Sequence, residues 1–345
     1  MLLPSDGHTY VIAEIGANHN GDMKLAQDSI RAAKAAGADA AKFQSWDTGL
    51  FARSFYDDNP GLEEQVAAYA VAGNEMRALA EFCSETGIDF ASTPFSKREL
   101  DELDALAPPF IKIASMDLNN DHLLRGAAQT GRTIILSTGM ANTGEIEHAL
   151  STLEASGHQD TILLHCIALY PPPGDSYVNL RNMEMLRDTF GYPVGFSDHT
   201  QGIEITLAAI ALGAVVIEKH FTLDKALEGW DHAVSADPEE MAIITSAAKR
   251  IPAALGSRRR VVSEAEHNQS LVMRRSIVAG HDLPVGHVLT LEDMDFRRPG
   301  TGISPNEAAR LVGRELVRNL VSDELLSEDD LGPVHTATSV ISNAA

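Results

Sequence analysis

Short apolar runs alternate along most of the chain with longer stretches whose apolar positions recur at helical spacing. The apolar runs at 10–15, 38–43, 89–92, 110–113, 133–136, 161–165, 193–196 and 215–218 predict strands. Helical patterns fall between them at 25–36, 74–86, 97–106, 122–129, 143–154, 183–189 and 203–212, and a last one at 238–250 follows the final strand. Gly37, Gly87, Gly131 and Gly213 stand where a left-handed residue ends a helix. Strand and helix repeating in this way over about 250 residues predict an α/β fold, a (β/α)8 TIM barrel. A doubly wound open sheet is the weaker alternative, because no Gly-x-Gly-x-x-Gly turn follows the first strand.

The pattern changes after the last helix. Residues 256–265 are polar and basic, with Arg258, Arg259 and Arg260 in a row, and read as solvated linker. Short β-type pieces and tight turns follow. The expected organisation is a catalytic barrel at 1–262, a linker at 263–272, a small β-rich module at 273–333 and a frayed polar tail at 334–345.

Composition narrows the function. The chain has 345 residues, 44% hydrophobic and 22% charged, as in ordinary globular proteins. A formal net charge of -22 argues against nucleic acid and anionic membrane as partners. An anionic substrate would then need cations concentrated locally. Cys83 and Cys166 both sit in apolar elements and read as free buried thiols in a reducing compartment. No basic region followed by an apolar signal segment opens the chain, and the longest apolar run, 205–217, is too short for a bilayer. A cytoplasmic location is the expectation.

Candidate chemistry clusters after the predicted strands, where a barrel keeps its active site. His199 follows one strand and His220 the next, so two imidazoles at one barrel mouth are a plausible start of a divalent metal site. Lys42 and Lys112 lie inside apolar strands, where an unpaired ammonium is costly. They are either structural, paired with buried carboxylates such as Glu14 or Glu218, or two cations that bind a phosphate with Thr93, Ser115, Ser137 and Ser197 as neutral donors. Glu14, at the end of an apolar strand, is placed for a raised pKa and base catalysis, or for an ion pair with Lys42. His19 reads as a turn residue and His165 as a core histidine. Tyr170 is either a packing aromatic or a substrate contact.

These residues fall into ordered blocks. Glu14-Ile15-Gly16-Ala17-Asn18-His19-Asn20-Gly21 opens them. Lys42-Phe43-Gln44, Ser92-Thr93-Pro94-Phe95, Lys112-Ile113-Ala114-Ser115, Leu136-Ser137-Thr138-Gly139-Met140, Phe196-Ser197-Asp198-His199-Thr200 and Glu218-Lys219-His220-Phe221-Thr222 follow. Together they resemble the sialic acid synthase (N-acetylneuraminate synthase) family. The stretch from Arg274-Arg275-Ser276 to Arg298-Pro299-Gly300-Thr301-Gly302 and beyond resembles its C-terminal antifreeze-like (SAF) module, and the whole resemblance covers about residues 8–333.

The resemblance implies a condensation of phosphoenolpyruvate with an open-chain aldose, giving a 2-keto-3-deoxy sugar acid of the sialic or nonulosonic type and phosphate. It implies a divalent metal, Mn²⁺ or Mg²⁺, on His199 and His220. It also implies phosphoenolpyruvate contacts from Lys42, Thr93, Lys112, Ser115, Ser137 and Ser197, and sugar contacts from Gln44, Asp117, Tyr170, Asp231 and Arg298. Glu14 and Glu218 are the candidate catalytic carboxylates. The family is a domain-swapped homodimer, so Arg298 would serve the neighbouring subunit. Three features depart from its pattern. Ile167-Ala168-Leu169 replaces a stretch that is usually polar, Asp117 stands where Glu is frequent, and residues 51–73 differ where the sugar should be gripped. Competing readings are another metal-dependent aldolase or isomerase on the same barrel, and a non-catalytic paralogue that binds a sugar acid or phosphate.

Overall fold

Each predicted apolar run forms a strand, and the strands are parallel. They are β1 (Tyr10–Gly16), β2 (Ala40–Ser45), β3 (Asp89–Pro94), β4 (Phe110–Ile113), β5 (Thr133–Ser137), β6 (Thr161–Cys166), β7 (Val194–Asp198) and β8 (Val216–His220). The structure, a computed structural model, describes residues 2–334. The expected tail at 334–345 therefore lies outside the described residues except for Val334. The hydrogen-bonded order runs β3-β2-β1-β8-β7-β6-β5-β4, and β3 and β4 lie side by side, so the sheet curls into a barrel.

Eight helices return the chain to the start of each next strand, or follow the last one: α1 (Met23–Ala35), α4 (Gly73–Thr86), α5 (Lys97–Asp104), α6 (Asp121–Gln129), α7 (Thr143–Ala155), α8 (Asn182–Phe190), α9 (Glu204–Ala211) and α10 (Pro238–Leu255). Two short helices, α2 (Arg53–Asp58) and α3 (Leu62–Ala68), occupy the loop between β2 and α4. Asp22, Ser96, Asn120, Asn142 and Asp237 cap α1, α5, α6, α7 and α10 with side-chain oxygens. Apolar residues fill two layers. Ile12, Ala40, Ala91, Phe110, Ile135 and Leu164 fill the barrel interior, and a larger set, including Ile15, Phe43, Leu79 and Phe196, packs between strands and helices. No helix among the described residues is long and apolar enough to cross a membrane.

The chain divides into two units, residues 1–256 and 257–345. The second begins with α11 (Glu264–Met273), so most of the expected linker is helical. Ser263 accepts from Glu266 N to cap it, yet it buries no residue and presents no apolar stripe that the hydrophobic pattern could reveal. Next, β9 (Ser276–Ala279) pairs antiparallel with β10 (Met294–Arg297), and β11 (Arg314–Leu316) with β12 (Leu331–Val334). Ile277, Leu289, Leu311, Leu316, Leu320 and Leu326 form this unit's own core.

Candidate active site

Strand side chains alternate faces, so a residue two positions past an interior one points the same way. Applied to this barrel, that rule builds the site. Ile12 is followed by Glu14, Ala40 by Lys42, Ala91 by Thr93 and Phe110 by Lys112. Ile135 is followed by Ser137, Leu164 by Cys166 and Val216 by Glu218, while Gly195 precedes Ser197. One side chain from each strand thus lines a single cleft of about 380 Å³ at the C-terminal ends of the strands. Gly195 is required beneath it, because a Cβ there would stand 2.3 Å from Val216 O and 2.7 Å from Leu164 Cδ2.

Two carboxylates and two ammonium groups meet in the cleft floor, all buried. Lys42 Nζ lies 2.5 Å from Glu14 Oε2 and 3.5 Å from Glu218 Oε2, and donates to Thr93 Oγ1 at 2.8 Å. Lys112 Nζ lies 3.7 Å from Glu218 Oε1, which also accepts from Ser197 Oγ at 2.8 Å. The pairing offsets the cost of burying charge. Burial pushes the Glu14 carboxyl up, with Lys42 opposing and the like charge of Glu218 adding to the rise. For Glu218 burial is outweighed by Lys112 and then Lys42, and its carboxyl is held down. Burial also works against charge on Lys42, but Glu14 and Glu218 outweigh it and raise its pKa. On Lys112 burial prevails, helped by Lys42, so its pKa falls. Lys112 is the less firmly countered of the two cations. Neutral donors surround them. Ser137 Oγ has no hydrogen-bond partner among the described residues, and Ser115 Oγ accepts from Gly139 N at 3.0 Å.

His199, just past β7, and His220, the last residue of β8, hold their ring centres 5.4 Å apart. His199 Nδ1 meets Ile167 O at 3.0 Å, so it carries the proton and leaves Nε2 with its lone pair. His220 Nδ1 is buried without a hydrogen-bond partner, 3.7 Å from Asp231 Oδ2. Burial keeps both rings neutral. Together with the neighbouring His220 it pulls His199 down to about 4, and it pulls His220 down to about 3 against the pull of Glu218. Two neutral imidazoles with open nitrogens are a donor set that fits a divalent ion. No cluster of three or more His, Cys, Asp or Glu side chains among the described residues is arranged for a metal. These two are the residues that would hold such an ion.

Behind the rings lies a buried pair that the sequence reading passed over. Lys219 Nζ and Asp198 Oδ2 are 3.0 Å apart on the helix-facing side of β7 and β8. Asp198 also accepts from Thr200 N and Oγ1, each at 2.8 Å, and from Thr206 Oγ1 of α9. The turn carrying His199 is thereby tied to both strands. The signal was present in the parity of β8: Glu218 and His220 face inward, so the buried Lys219 must face outward and find a countercharge.

The expected sugar-side residues are placed unevenly. Gln44 lines the cleft and donates to Glu14 Oε1 at 3.0 Å. The Tyr170 ring centre lies 4.0 Å from that of His199 with the planes tilted by 42°, and Asp231, whose pKa burial raises, stands beside His220. Asp117 sits in the turn after β4, outside the cleft lining, with its carboxylate accepting from Asn120 Nδ2 at 3.0 Å. Arg298 belongs to the second unit, just after β10. His19 accepts from Gly21 N within its turn, and His165 Nε2 meets Val178 O at 2.6 Å in the core, as their turn and core readings expect. The cleft also has aromatic lining: Phe95, which ends a block already singled out, Phe51, which opens the departing 51–73 segment, and Trp46 and Trp230, which sequence reasoning missed. Nothing in the strand pattern marks these positions, because they stand on loops.

Comparison with known proteins gives two family matches, NeuB over residues 29–260 and SAF domain over residues 274–332. A protein of Methanocaldococcus jannaschii described as uncharacterised is 41% identical over 94% of this chain and 94% of its own. The N,N'-diacetyllegionaminic acid synthase of Campylobacter jejuni is 38% identical over 93% of this chain and 99% of its own. Among solved structures, an N-acetylneuraminic acid (sialic acid) synthetase from Leptospira borgpetersenii in complex with citrate superimposes with a TM-score of 0.70. It is 35% identical and covers 77% of this chain and 92% of its own.

Proposed function

The chain belongs to the NeuB family and carries a SAF domain, and on that premise we propose that it joins phosphoenolpyruvate to an aldose, making a 2-keto-3-deoxy sugar acid and inorganic phosphate. Relatives include synthases of legionaminic, pseudaminic and sialic acid type, which supports a nonulosonic acid synthase. The observation that carries the proposal is the buried set Glu14, Lys42, Lys112 and Glu218 beside two neutral imidazoles in one cleft.

In this reading Lys42 and Lys112 exchange part of their carboxylate contact for the phosphate and carboxylate of phosphoenolpyruvate. Thr93, Ser115, Ser137 and Ser197 complete the anion's hydrogen bonds. The free Ser137 hydroxyl supports this, since it has a donor to give. The enol carbon attacks the aldehyde carbon of the sugar, water adds at the carbon that bears the phosphate, and phosphate leaves to form the ketone. Glu14, whose carboxyl is pushed up by burial, takes a proton from that water. Glu218, held ionised, keeps both ammonium groups in register. A divalent ion, Mn²⁺ or Mg²⁺, when bound by His199 and His220, would polarise the aldehyde oxygen as a Lewis acid. Gln44, Tyr170 and Asp231 orient the sugar, Asp117 lies outside the cleft lining and is given no part in this step, and Arg298 serves the neighbouring subunit of a domain-swapped homodimer. The catalytic domain in this reading is residues 1–262 and the module residues 273–333.

Phosphate release measured with phosphoenolpyruvate, Mn²⁺ and a panel of aldoses tests the proposal. Turnover with at least one aldose, lost on chelation and restored by Mn²⁺, is expected. No release with any of them would return the chain to the alternative of a non-catalytic binder.

A further inference from the structure

The outward face of β7 and β8 carries charge where its neighbours are apolar. Val194, Phe196, Ile217 and Phe221 on that face belong to the larger core. Asp198 and Lys219 stand among them, opposite each other in the β7–β8 ladder, and each is 1% exposed. An apolar pair would continue the packing there. Buried ion pairs are in general no more stabilising than the apolar residues that can replace them. Burial alone therefore does not account for this pair.

Its place along the chain does. Asp198 directly precedes His199, and Lys219 directly precedes His220, so the outward pair stands back to back with the two inward rings. His220 is held by the sheet itself. It is the register partner of Glu14 on β1, Phe221 N donates to Glu14 O at 2.7 Å, and Ala236 N donates to His220 O at 2.7 Å. His199 is placed differently. The last position of β7 paired with β8 is Asp198, and His199 stands one residue beyond it.

Lys219 supplies the hold that the ladder does not. Its Nζ donates to Asp198 Oδ2 at 3.0 Å and also to Thr200 O, so one ammonium grips the residue on each side of His199. Thr200 N and Oγ1 each donate to Asp198 Oδ1 at 2.8 Å, which closes an Asx turn around His199. Thr206 Oγ1 ties the same carboxylate to α9. The imidazole is then aimed by Nδ1 on Ile167 O. The strand that carries His220 thus sets where His199 stands.

Resting on the reading in which both rings bind a divalent ion, we propose that Asp198 and Lys219 are positioning residues for that ion. The pair fixes His199 relative to His220 and so sets the affinity of the metal site, rather than the stability of the barrel. Phosphoenolpyruvate should not feel the pair, because Lys42 and Lys112 meet Glu14 and Glu218 on the inward side.

The test is the full chain with D198N and K219M together. This change removes both charges, leaves an oxygen for Thr200 at position 198, and buries no lone charge. Mn²⁺ affinity is read from loss of the free-ion electron paramagnetic resonance signal, phosphoenolpyruvate affinity from calorimetry without metal, and stability from urea unfolding. Mn²⁺ should bind about tenfold to a hundredfold more weakly, as when groups that orient metal-binding side chains are lost. Phosphoenolpyruvate affinity and the urea midpoint should be essentially unchanged. D198N alone leaves Lys219 its bond to Thr200 O. It should also weaken Mn²⁺, and it decides the question if the double variant does not fold. Folded variants that bind Mn²⁺ as tightly as the unmodified chain, or that lose Mn²⁺ and phosphoenolpyruvate affinity together, would overturn the inference. An H199A variant separates this outcome from failure of the metal reading. Mn²⁺ binding abolished by H199A supports that reading whatever the pair does. No Mn²⁺ binding by the unmodified chain, or binding that H199A leaves intact, would overturn that reading and the inference with it.

Discussion

Glu14 and Glu218 are both buried glutamates touching Lys42, yet their surroundings drive them apart. Glu14 shares one ammonium and is pushed up, while Glu218 faces two and is held down. Carboxylates separated in this way divide the labour of proton handling and charge holding. Replacing Glu14 by Gln keeps the shape and removes the base. Binding of phosphoenolpyruvate should persist while kcat falls by a factor on the order of 10²–10⁴. Loss of binding in a titration would instead make Glu14 chiefly the partner of Lys42. Lys112 poses the complementary test. Its carboxylate lies 3.7 Å away rather than at contact distance, which leaves it freer to meet a substrate anion. Lys112→Ala should raise KM for phosphoenolpyruvate tenfold or more, corresponding to a lost charged contact of about 1.5–3 kcal/mol. Steady-state kinetics showing kcat and KM both unchanged would leave Lys112 a purely structural cation.

Strands and helices were legible in the sequence where burial is one-sided, and less so where function intrudes. The expected strands at 133–136 and 193–196 stop short of Ser137, Ser197 and Asp198, which continue β5 and β7. Their polarity hides them from a hydrophobic reading, although the ring of inward side chains is what the strand ends are for. The same parity could have revealed Lys219, and with it the Asp198 pair behind His199. Helices α2 and α3 escaped because they are short and have no side-chain cap. In the smaller unit, two short turns repeat one device. Thr290 N and Oγ1 donate to Asp293 Oδ2, and Ser327 N and Oγ donate to Asp330 Oδ2, both at 2.8 Å in the second turn. Asp330 also holds Arg318 Nε at 2.5 Å. Burial opposes charge on Asp330, but Arg318 and Ser327 outweigh it, so its pKa lies below the ordinary 3.8. A depressed carboxylate stabilises the fold above its unfolded pKa and loses that contribution as pH falls through the folded one. Asp330→Asn should therefore cost about 1–3 kcal/mol at neutral pH in urea unfolding of the smaller unit's transition. The gap to the unmodified chain should shrink below about pH 4. A gap that stays constant down to pH 2 would mean that the charge is not what holds the turn.

A chain with a formal charge of -22 repels an anionic substrate at long range, so capture must rest on local cations and on whatever the rest of the molecule brings to the cleft. Within the barrel those cations are Lys42 and Lys112, both already facing glutamates. A further cation from outside would therefore matter more here than in a basic protein. Arg298 follows β10 in the smaller unit, and its planar fork can bond two oxygens at once. The proposed domain swap sends it to the barrel of the second subunit, and complementation can test that at the scale of the dimer. Arg298→Ala protomers keep an intact His199, and His199→Ala protomers keep an intact Arg298. In a mixed dimer, one barrel then has its histidine and receives its arginine from the neighbour, while the other has neither. Each homodimer of a single variant has two damaged sites. Equal mixing with free subunit exchange should recover roughly a quarter of wild-type activity above the two parental variants, since half of the dimers carry one intact site of two. Phosphate release measured before and after exchange, with exchange itself followed by tag transfer, gives the answer. Full exchange with no gain would mean that Arg298 acts on its own barrel or on none.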